Sequence, residues 1–222
     1  MNTASDKSIA GQAVYSKKIL SFYDFWVLGI SNSLIWKCRT KKILHWMNQS
    51  LTANHLDVGV GTGFYLEHCT FPATEVRLGL LDLNANSLEV TAKRASRYTP
   101  EVYQADILQP LPEQSQKFDS VSLNYLLHCL PGNLETKATL FDHLAPWLNP
   151  GATISGSTIL QAGVPRSFVA KRLMHVYNQK QIFSNVSDNL DALQSQLSSR
   201  YTDVELEVIG CVALFRAHSN PH

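Results

Sequence analysis

His55-Leu56-Asp57-Val58-Gly59-Val60-Gly61-Thr62-Gly63-Phe64 is the stretch that decides how this chain folds. An apolar strand runs into three glycines at alternating positions, and an apolar helix follows. Glycine permits a sharp turn and lets a ligand approach main-chain atoms. The first turn of the next helix offers free N–H groups to an anionic group.

The turn is not built for a diphosphate. The dinucleotide fingerprint G-x-G-x-x-G needs its third glycine three residues after the second. Counted from Gly59 and Gly61 that place holds Phe64, and from Gly61 and Gly63 it holds Leu66. The phosphate-loop pattern G-x-x-x-x-G-K-[ST] is absent as well. These absences disfavour a nicotinamide dehydrogenase. S-adenosylmethionine (SAM) has the required character, because its one anionic group is a carboxylate. Its ammonium and sulfonium are cationic and give Asp57, at the strand end, a partner of opposite charge. A tight strand-to-helix turn without a ligand is the plainer alternative.

Two further acids lie outward from this turn. Leu80-Leu81-Asp82-Leu83-Asn84 ends the next apolar run. A carboxylate at that strand tip can accept both ribose hydroxyls. Asp82 can equally cap the following helix, as can Asn84. Gln104-Ala105-Asp106-Ile107-Leu108 follows the third run. Asp106 can accept an adenine amino group and the Ile107 N–H can donate to the ring; an exposed loop aspartate is the alternative. All three sites fall at strand carboxyl ends, the edge where open α/β sheets bind ligands.

The rest of the chain supports an α/β fold. Short apolar runs at His55–Val60, Val76–Asp82, Val102–Ala105, Phe118–Leu123 and Ala152–Ile159 predict strands. They alternate with helical patterns at Gly63–Cys69, Ala85–Arg97, Leu134–Leu148, Ser167–Gln181 and Leu190–Leu197. That alternation predicts βαβ units and a parallel sheet with helices on both faces. Asn149-Pro150-Gly151 reads as a helix stop and turn. Asp203–Ile209 and Cys211–Arg216, separated by Gly210, read as a terminal pair added to the sheet. Residues 12–50 read as helical, with apolar positions at steps of three and four. Residues 1–50 are therefore expected to cap a ligand-binding unit spanning residues 51–222.

These residues resemble class I SAM-dependent methyltransferases. The matching parts are D-V-G-V-G-T-G from Asp57, L-D-L-N from Leu81, A-D-I from Ala105, F-D-S-V from Phe118 and L-N-P-G from Leu148. The resemblance implies a Rossmann-like, seven-stranded, mostly parallel sheet with its last strand antiparallel. It implies SAM held by Gly59, Gly61 and Gly63, with Asp57 near the methionine amino group and Asp82 on the ribose. Leu83 would lie against the adenine, Asp106 and Ile107 would read its edge, and Asn124 and Tyr125 would line the methionine end. F-Y-D-F-W-V-L-G from Phe22 and L-H-C-L-P-G from Leu127 resemble a group of short bacterial and fungal methyltransferases. The N-P-P-Y or D-P-P-Y signature of nucleic-acid and protein amino-group methylation is missing after the fourth strand, which reads Leu123-Asn124-Tyr125-Leu126-Leu127.

Methyl transfer from SAM is an in-line displacement, so the protein's tasks are alignment and exclusion of water. Alignment can lower a barrier by about 7–11 kcal/mol in favourable cases. The N-terminal aromatics, including Tyr15, Tyr23 and Trp26, either form a lid over the sulfonium and substrate or pack as an ordinary apolar face. His128, after the fourth strand, is either a general base or a structural histidine. A SAM-binding sensor of the same fold, or one catalysing a reaction without transfer, is the alternative function.

Composition sets the outer bounds. The 222 residues carry 19 basic and 18 acidic side chains, a net charge of +1. Nucleic-acid binders carry a basic excess, so none is expected as a partner. The run Lys37, Arg39, Lys41 and Lys42 reads as a solvated helix face or a docking surface for an anion. The 4 cysteines form no C-x-x-C pair and read as reduced thiols. With no apolar leader and no run able to span a bilayer of about 30 Å, a cytoplasmic monomer or homodimer is expected. No His or Cys spacing suits a metal, and none is predicted.

Overall fold

The computed structural model of the protein describes residues 31–220. The first strand, β1 (Asn54–Val58), stops at Val58 because Gly59 turns the chain at φ 70°. The other strands are β2 (Arg77–Asp82), β3 (Glu101–Gln104), β4 (Phe118–Asn124), β5 (Leu148–Ile159), β6 (Thr202–Ile209) and β7 (Val212–His218). They form one sheet in the order β3-β2-β1-β4-β5-β7-β6. β1 to β5 run parallel, and β7 pairs antiparallel with both β5 and β6. Strand order reverses between β1 and β4. The crevice at that reversal, outside the strand carboxyl ends, is the ligand position of such sheets.

Helices cover both faces. One face packs β1, β4, β5 and β7, through Leu56, Val58, Val121, Leu123, Ile154 and Phe215, on α4 (Leu134–Lys137), α5 (Thr139–Leu144) and α7 (Leu190–Ser198). On the other, Leu78 and Leu80 pack on α1 (Thr40–Asn48), α2 (Phe64–His68) and α3 (Ala85–Arg94). Val212 and Leu214 pack there on Ala170 and Met174 of α6 (Phe168–Gln179). The Trp46 indole ties α1 to β7 by donating to the Phe215 carbonyl at 2.9 Å.

The seven-stranded, mostly parallel sheet that the resemblance implies is present, with the terminal pair expected from the pattern at its edge. Three boundaries differ. The predicted helix over Leu134–Leu148 is three pieces: α4, α5 and a 3-10 turn at Ala145–Trp147. Pro146 lacks an N–H and stands at the start of that turn. Leu148 is already extended and pairs with Phe118. β5 therefore begins before Asn149-Pro150-Gly151, which is a bulge within the strand rather than a turn ahead of it. Gly151 at φ 74° and the register shift between Phe118 and Ser120 mark the irregularity. The helix predicted over Ala85–Arg97 stops at Arg94 and tightens into a 3-10 turn at Ser96–Tyr98.

A buried ion pair fixes the chain after α6. Lys137 and Asp188 are both 0% exposed, with Nζ and Oδ2 2.7 Å apart. Nζ also donates to the Ser184 carbonyl. Lys137→Met should therefore cost about 3–5 kcal/mol in urea unfolding, because it strands a buried carboxylate. The double variant Lys137→Met/Asp188→Leu should recover most of that loss.

Candidate active site

Across the reversal point, the carboxyl ends of β1, β2 and β3 meet the chain after β4 around a cavity of about 140 Å³. Gly59, Gly61, Asp82, Leu83, Asp106, Ile107 and Tyr125 all line it. Seven of the positions singled out from sequence thus share one wall, brought together by parallel pairing.

The glycine turn works differently at each glycine. Gly61, at φ 56°, faces open space: a Cβ there would meet nothing within 4 Å. At Gly59 a Cβ would stand 2.7 Å from the Leu126 side chain. Gly63 is off the cavity wall. It starts α2 at φ 77°, and a Cβ would press on the Thr91 backbone of α3 at 3.0 Å. Its bareness serves helix packing.

Asp82 and Asn84 divide the duties that sequence left open. The Asn84 side chain caps α3 by accepting from the Asn86 N–H at 2.9 Å. Asp82 accepts the Asn84 N–H at 2.8 Å and lines the cavity. Burial pushes its carboxyl up to about 6, against the amides of Asn84, Gly61, Val60 and Leu83, which favour the charged form. Asp106 turns one oxygen back to its own loop, accepting the Leu108 N–H at 3.0 Å.

Asp57 lies below the turn, 6% exposed and off the cavity wall. Burial pushes its carboxyl up to about 7; the Ser122 hydroxyl donates to it and opposes the shift, while the Asp82 charge adds to it. Neither aspartate forms an ion pair among the described residues. Two neighbouring carboxylates, one buried and one half-buried, without a cation among the described residues suit a ligand that brings one.

The chain after β4 supplies the rest. Tyr125 adopts the left-handed region at φ 57°, its N–H bonded to the Ser157 carbonyl at 2.8 Å. For a bulky residue this costs of order 1–3 kcal/mol, a strain typical of functional turns. Asn124 is not on the cavity wall. Its Oδ1 accepts from Ser157 at 3.0 Å, and its buried Nδ2 has no hydrogen-bond partner among the described residues.

His128 stands apart from the cavity. It is 3% exposed, lies off the cavity wall, and meets Phe183 edge-on at 4.6 Å between ring centroids. Its Nδ1 accepts the Ile159 N–H at 3.3 Å. Burial drives its pKa down to about 3, so it is neutral and held in the core. Tyr15, Tyr23 and Trp26 lie outside the described residues.

Sequence reasoning missed the far wall: Leu126, Cys129, Leu130, Pro131 and Ile182. The first four belong to the segment around L-H-C-L-P-G, whose motif was visible without its role. Ile182 follows α6 and carried no signal. The Cys129 thiol, pushed up to about 12 by burial, contributes bulk rather than charge. No described helix is long and apolar enough to cross a membrane, and no described His, Cys, Asp or Glu cluster could hold a metal.

Comparison with known proteins agrees with this geometry. The family described as "Methyltransferase domain" matches residues 56–154. Demethylluteothin O-methyltransferase of Streptomyces thioluteus is 39% identical over 209 residues, covering 94% of this chain and 91% of its own. The N-methyltransferase vrtF of Penicillium aethiopicum is 38% identical over 214 residues, covering 96% and 89%. The chain belongs to the class I SAM-dependent methyltransferases, and it is an enzyme of the type that methylates small molecules. Among solved structures, the N-methyltransferase NodS of Bradyrhizobium japonicum WM9, in complex with S-adenosyl-L-homocysteine, shares the fold. Its TM-score is 0.65 at 17% identity, covering 96% of this chain and 99% of that one.

The residues present fit SAM as the cofactor. The two uncompensated carboxylates suit its cations, and the bare Gly61 leaves room where a side chain would intrude. The raised carboxyls have a consequence for stability. Each folded pKa exceeds the ordinary aspartate value of 3.8, so the folded state holds more protons than the unfolded one between those values. Their contribution is full at low pH and is lost as pH rises through about 6 and 7. Thermal unfolding of the ligand-free protein should show this decline, and saturating SAM should flatten it.

Proposed function

We propose that Asp57, Asp82 and the glycine turn orient SAM so that its methyl group points past Tyr125 to an apolar acceptor carrying a nucleophilic oxygen or nitrogen. The observation that carries this reading is a buried carboxylate, Asp57, and a half-buried one, Asp82, at a cavity whose far wall, Leu126, Leu130, Pro131 and Ile182, is apolar. SAM, when bound, supplies a methyl group on a sulfonium, open to in-line displacement.

The chain's own residues do the placing. Asp57 receives the ammonium, aided by the Gly59–Gly61–Gly63 turn. Asp82 accepts the ribose hydroxyls, Leu83 lies against the adenine, and Asp106 with the Ile107 N–H reads its edge. The unpartnered Asn124 Nδ2 and the Tyr125 turn serve the methionine end. Tyr15, Tyr23 and Trp26, outside the described residues, are the aromatic candidates for excluding water from the methyl. The enzyme works in the cytoplasm as a monomer or homodimer, without nucleic acid, membrane or metal.

The acceptor arrives with its lone pair already free. Leu126, Leu130, Pro131 and Ile182 are apolar, Cys129 holds its proton, and His128 is locked in the core. A hydroxyl acidic enough to ionise in water, or a neutral amine, meets this condition. The two relatives' names, an O- and an N-methyltransferase, support both.

Two measurements test the reading. Asp82→Ala should weaken SAM binding by about tenfold, the loss of one charge-assisted hydrogen-bond pair, with the circular dichroism spectrum unchanged. Unaltered affinity would remove the ribose assignment. Once an acceptor is found by transfer of labelled methyl groups to metabolite extracts, the pH profile of turnover under saturating SAM should follow the acceptor's own ionisation. His128→Gln should leave that profile in place; a profile that loses its acidic limb in this variant would restore a base role.

A further inference from the structure

The buried face of the central strands carries a polar row where a core would be expected. In parallel register His55 stands opposite Ser120, and Asp57 opposite Ser122. His55 Nδ1 lies 2.8 Å from Ser120 Oγ and Nε2 lies 2.9 Å from Ser122 Oγ. Ser122 Oγ donates to Asp57 Oδ1. At the other end the Thr52 N–H donates to Ser120 Oγ at 3.1 Å, and Thr52 Oγ1, 3.0 Å from the Asn54 carbonyl, lies 2.9 Å from the same Ser120 oxygen. All four of His55, Asp57, Ser120 and Ser122 are buried.

Proton counting allows this row two directions, and the charge on Asp57 chooses between them. A hydroxyl has a single proton to donate. If Ser122 gives its proton to the Asp57 carboxylate, it must receive the His55 bond from an Nε2–H. A neutral imidazole protonated at Nε2 is bare at Nδ1 and accepts from Ser120, which takes the Thr52 amide and the Thr52 hydroxyl on its lone pairs. The other tautomer passes the Ser122 proton to His55 and the Ser120 proton to Thr52 Oγ1, and leaves an ionised Asp57 without that donor. An ionised carboxylate, the form that meets an ammonium, selects the first direction.

We propose that His55 is a positioning residue for the cofactor: through its Nε2–H it commits the Ser122 hydroxyl to Asp57, and so holds that carboxylate charged and aimed at the ammonium of SAM. The imidazole touches neither cofactor nor substrate. Burial keeps it neutral, with a pKa near about 3, and its ring meets Phe71 at 5.8 Å between centroids. The titratable groups facing Asp57 from its surroundings are Asp82 of β2 and the Cys69 thiol after α2. Neither supplies a positive charge, which leaves Ser122 as the side chain that favours the ionised form.

The proposal rests on the assignment of Asp57 to the ammonium, and the test separates the two. Two probes are titrated calorimetrically into the intact protein. S-adenosylhomocysteine carries the ammonium; 5′-methylthioadenosine shares the adenosyl thioether and lacks it. Ser122→Ala should weaken S-adenosylhomocysteine by about tenfold, the worth of one hydrogen bond to a charged group, and His55→Leu, which leaves that hydroxyl in place but no longer held, by about threefold, while 5′-methylthioadenosine binds as before. The pH midpoint below which S-adenosylhomocysteine affinity falls should rise in both variants, by about one unit in Ser122→Ala and about half a unit in His55→Leu. His55→Gln, whose side-chain amide can donate to Ser122, should restore much of the affinity. The ratio of the two affinities is insensitive to a partly unfolded sample, so poor folding of one variant does not mask the result. Parallel loss of both probes, or an unmoved pH midpoint, would overturn the relay. If Asp57→Asn lowers the ratio and His55→Leu does not, the relay alone is wrong; if Asp57→Asn leaves it unchanged, the ammonium assignment falls too.

Discussion

Two neighbouring carboxylates near the strand tips, Asp57 buried and Asp82 half-buried, without a positive charge from the described chain, set the terms for the rest of this structure. Asp57 and Asp82 each resist ionisation through burial, and Asp57 feels the charge of Asp82 as well. Such a pair persists because backbone and hydroxyl donors partly compensate it. A cationic ligand completes the compensation. The sheet supplies the geometry, since parallel pairing ends β1 and β2 at the same level, and Gly59 and Gly61 keep side chains out of the gap between them.

The same constraint explains an inner sheet face that is polar where apolar residues would be more stable. Beyond His55, Ser120 and Ser122, the row continues across β5 through Ser155 and Ser157, each opposite its partner on β4. Ser157 then bonds Asn124 at the mouth of the site. Buried hydrogen-bonded rows contribute less than packed methyl groups but fix a single arrangement. Here the arrangement fixed is that of the strand ends that hold the cofactor.

The acceptor side is built by other means. The Tyr125 turn and the 3-10 segment Leu127–Cys129 place apolar residues against the cavity, while His128 faces the core. The Lys137–Asp188 pair and the Lys137 bond to Ser184 anchor the chain that delivers Ile182. A buried pair of this kind adds little stability over an apolar core. Its value here is that it fixes where a distant loop lies.

How much of this was legible in sequence depends on the range over which each feature is decided. Asp57, the glycine turn, Asp82 and Asp106 were readable because turn geometry and strand alternation act over a few residues, and the strand tips of an open parallel sheet share one edge. The alternation of apolar runs likewise gave the parallel βαβ units and the terminal pair, while the seven strands with the last antiparallel were what the resemblance implied. The β5 boundary was misread because a bulge and a turn use the same Asn-Pro-Gly chemistry, and pairing with Phe118 chose between them. The orientation of His128, the arrival of Ile182 and the His55–Ser122 chain were decided by tertiary structure alone. They depend on contacts between residues far apart in the chain, as His55 and Ser120 are at a separation of 65, and no local preference encodes which side chains a sheet will set opposite one another.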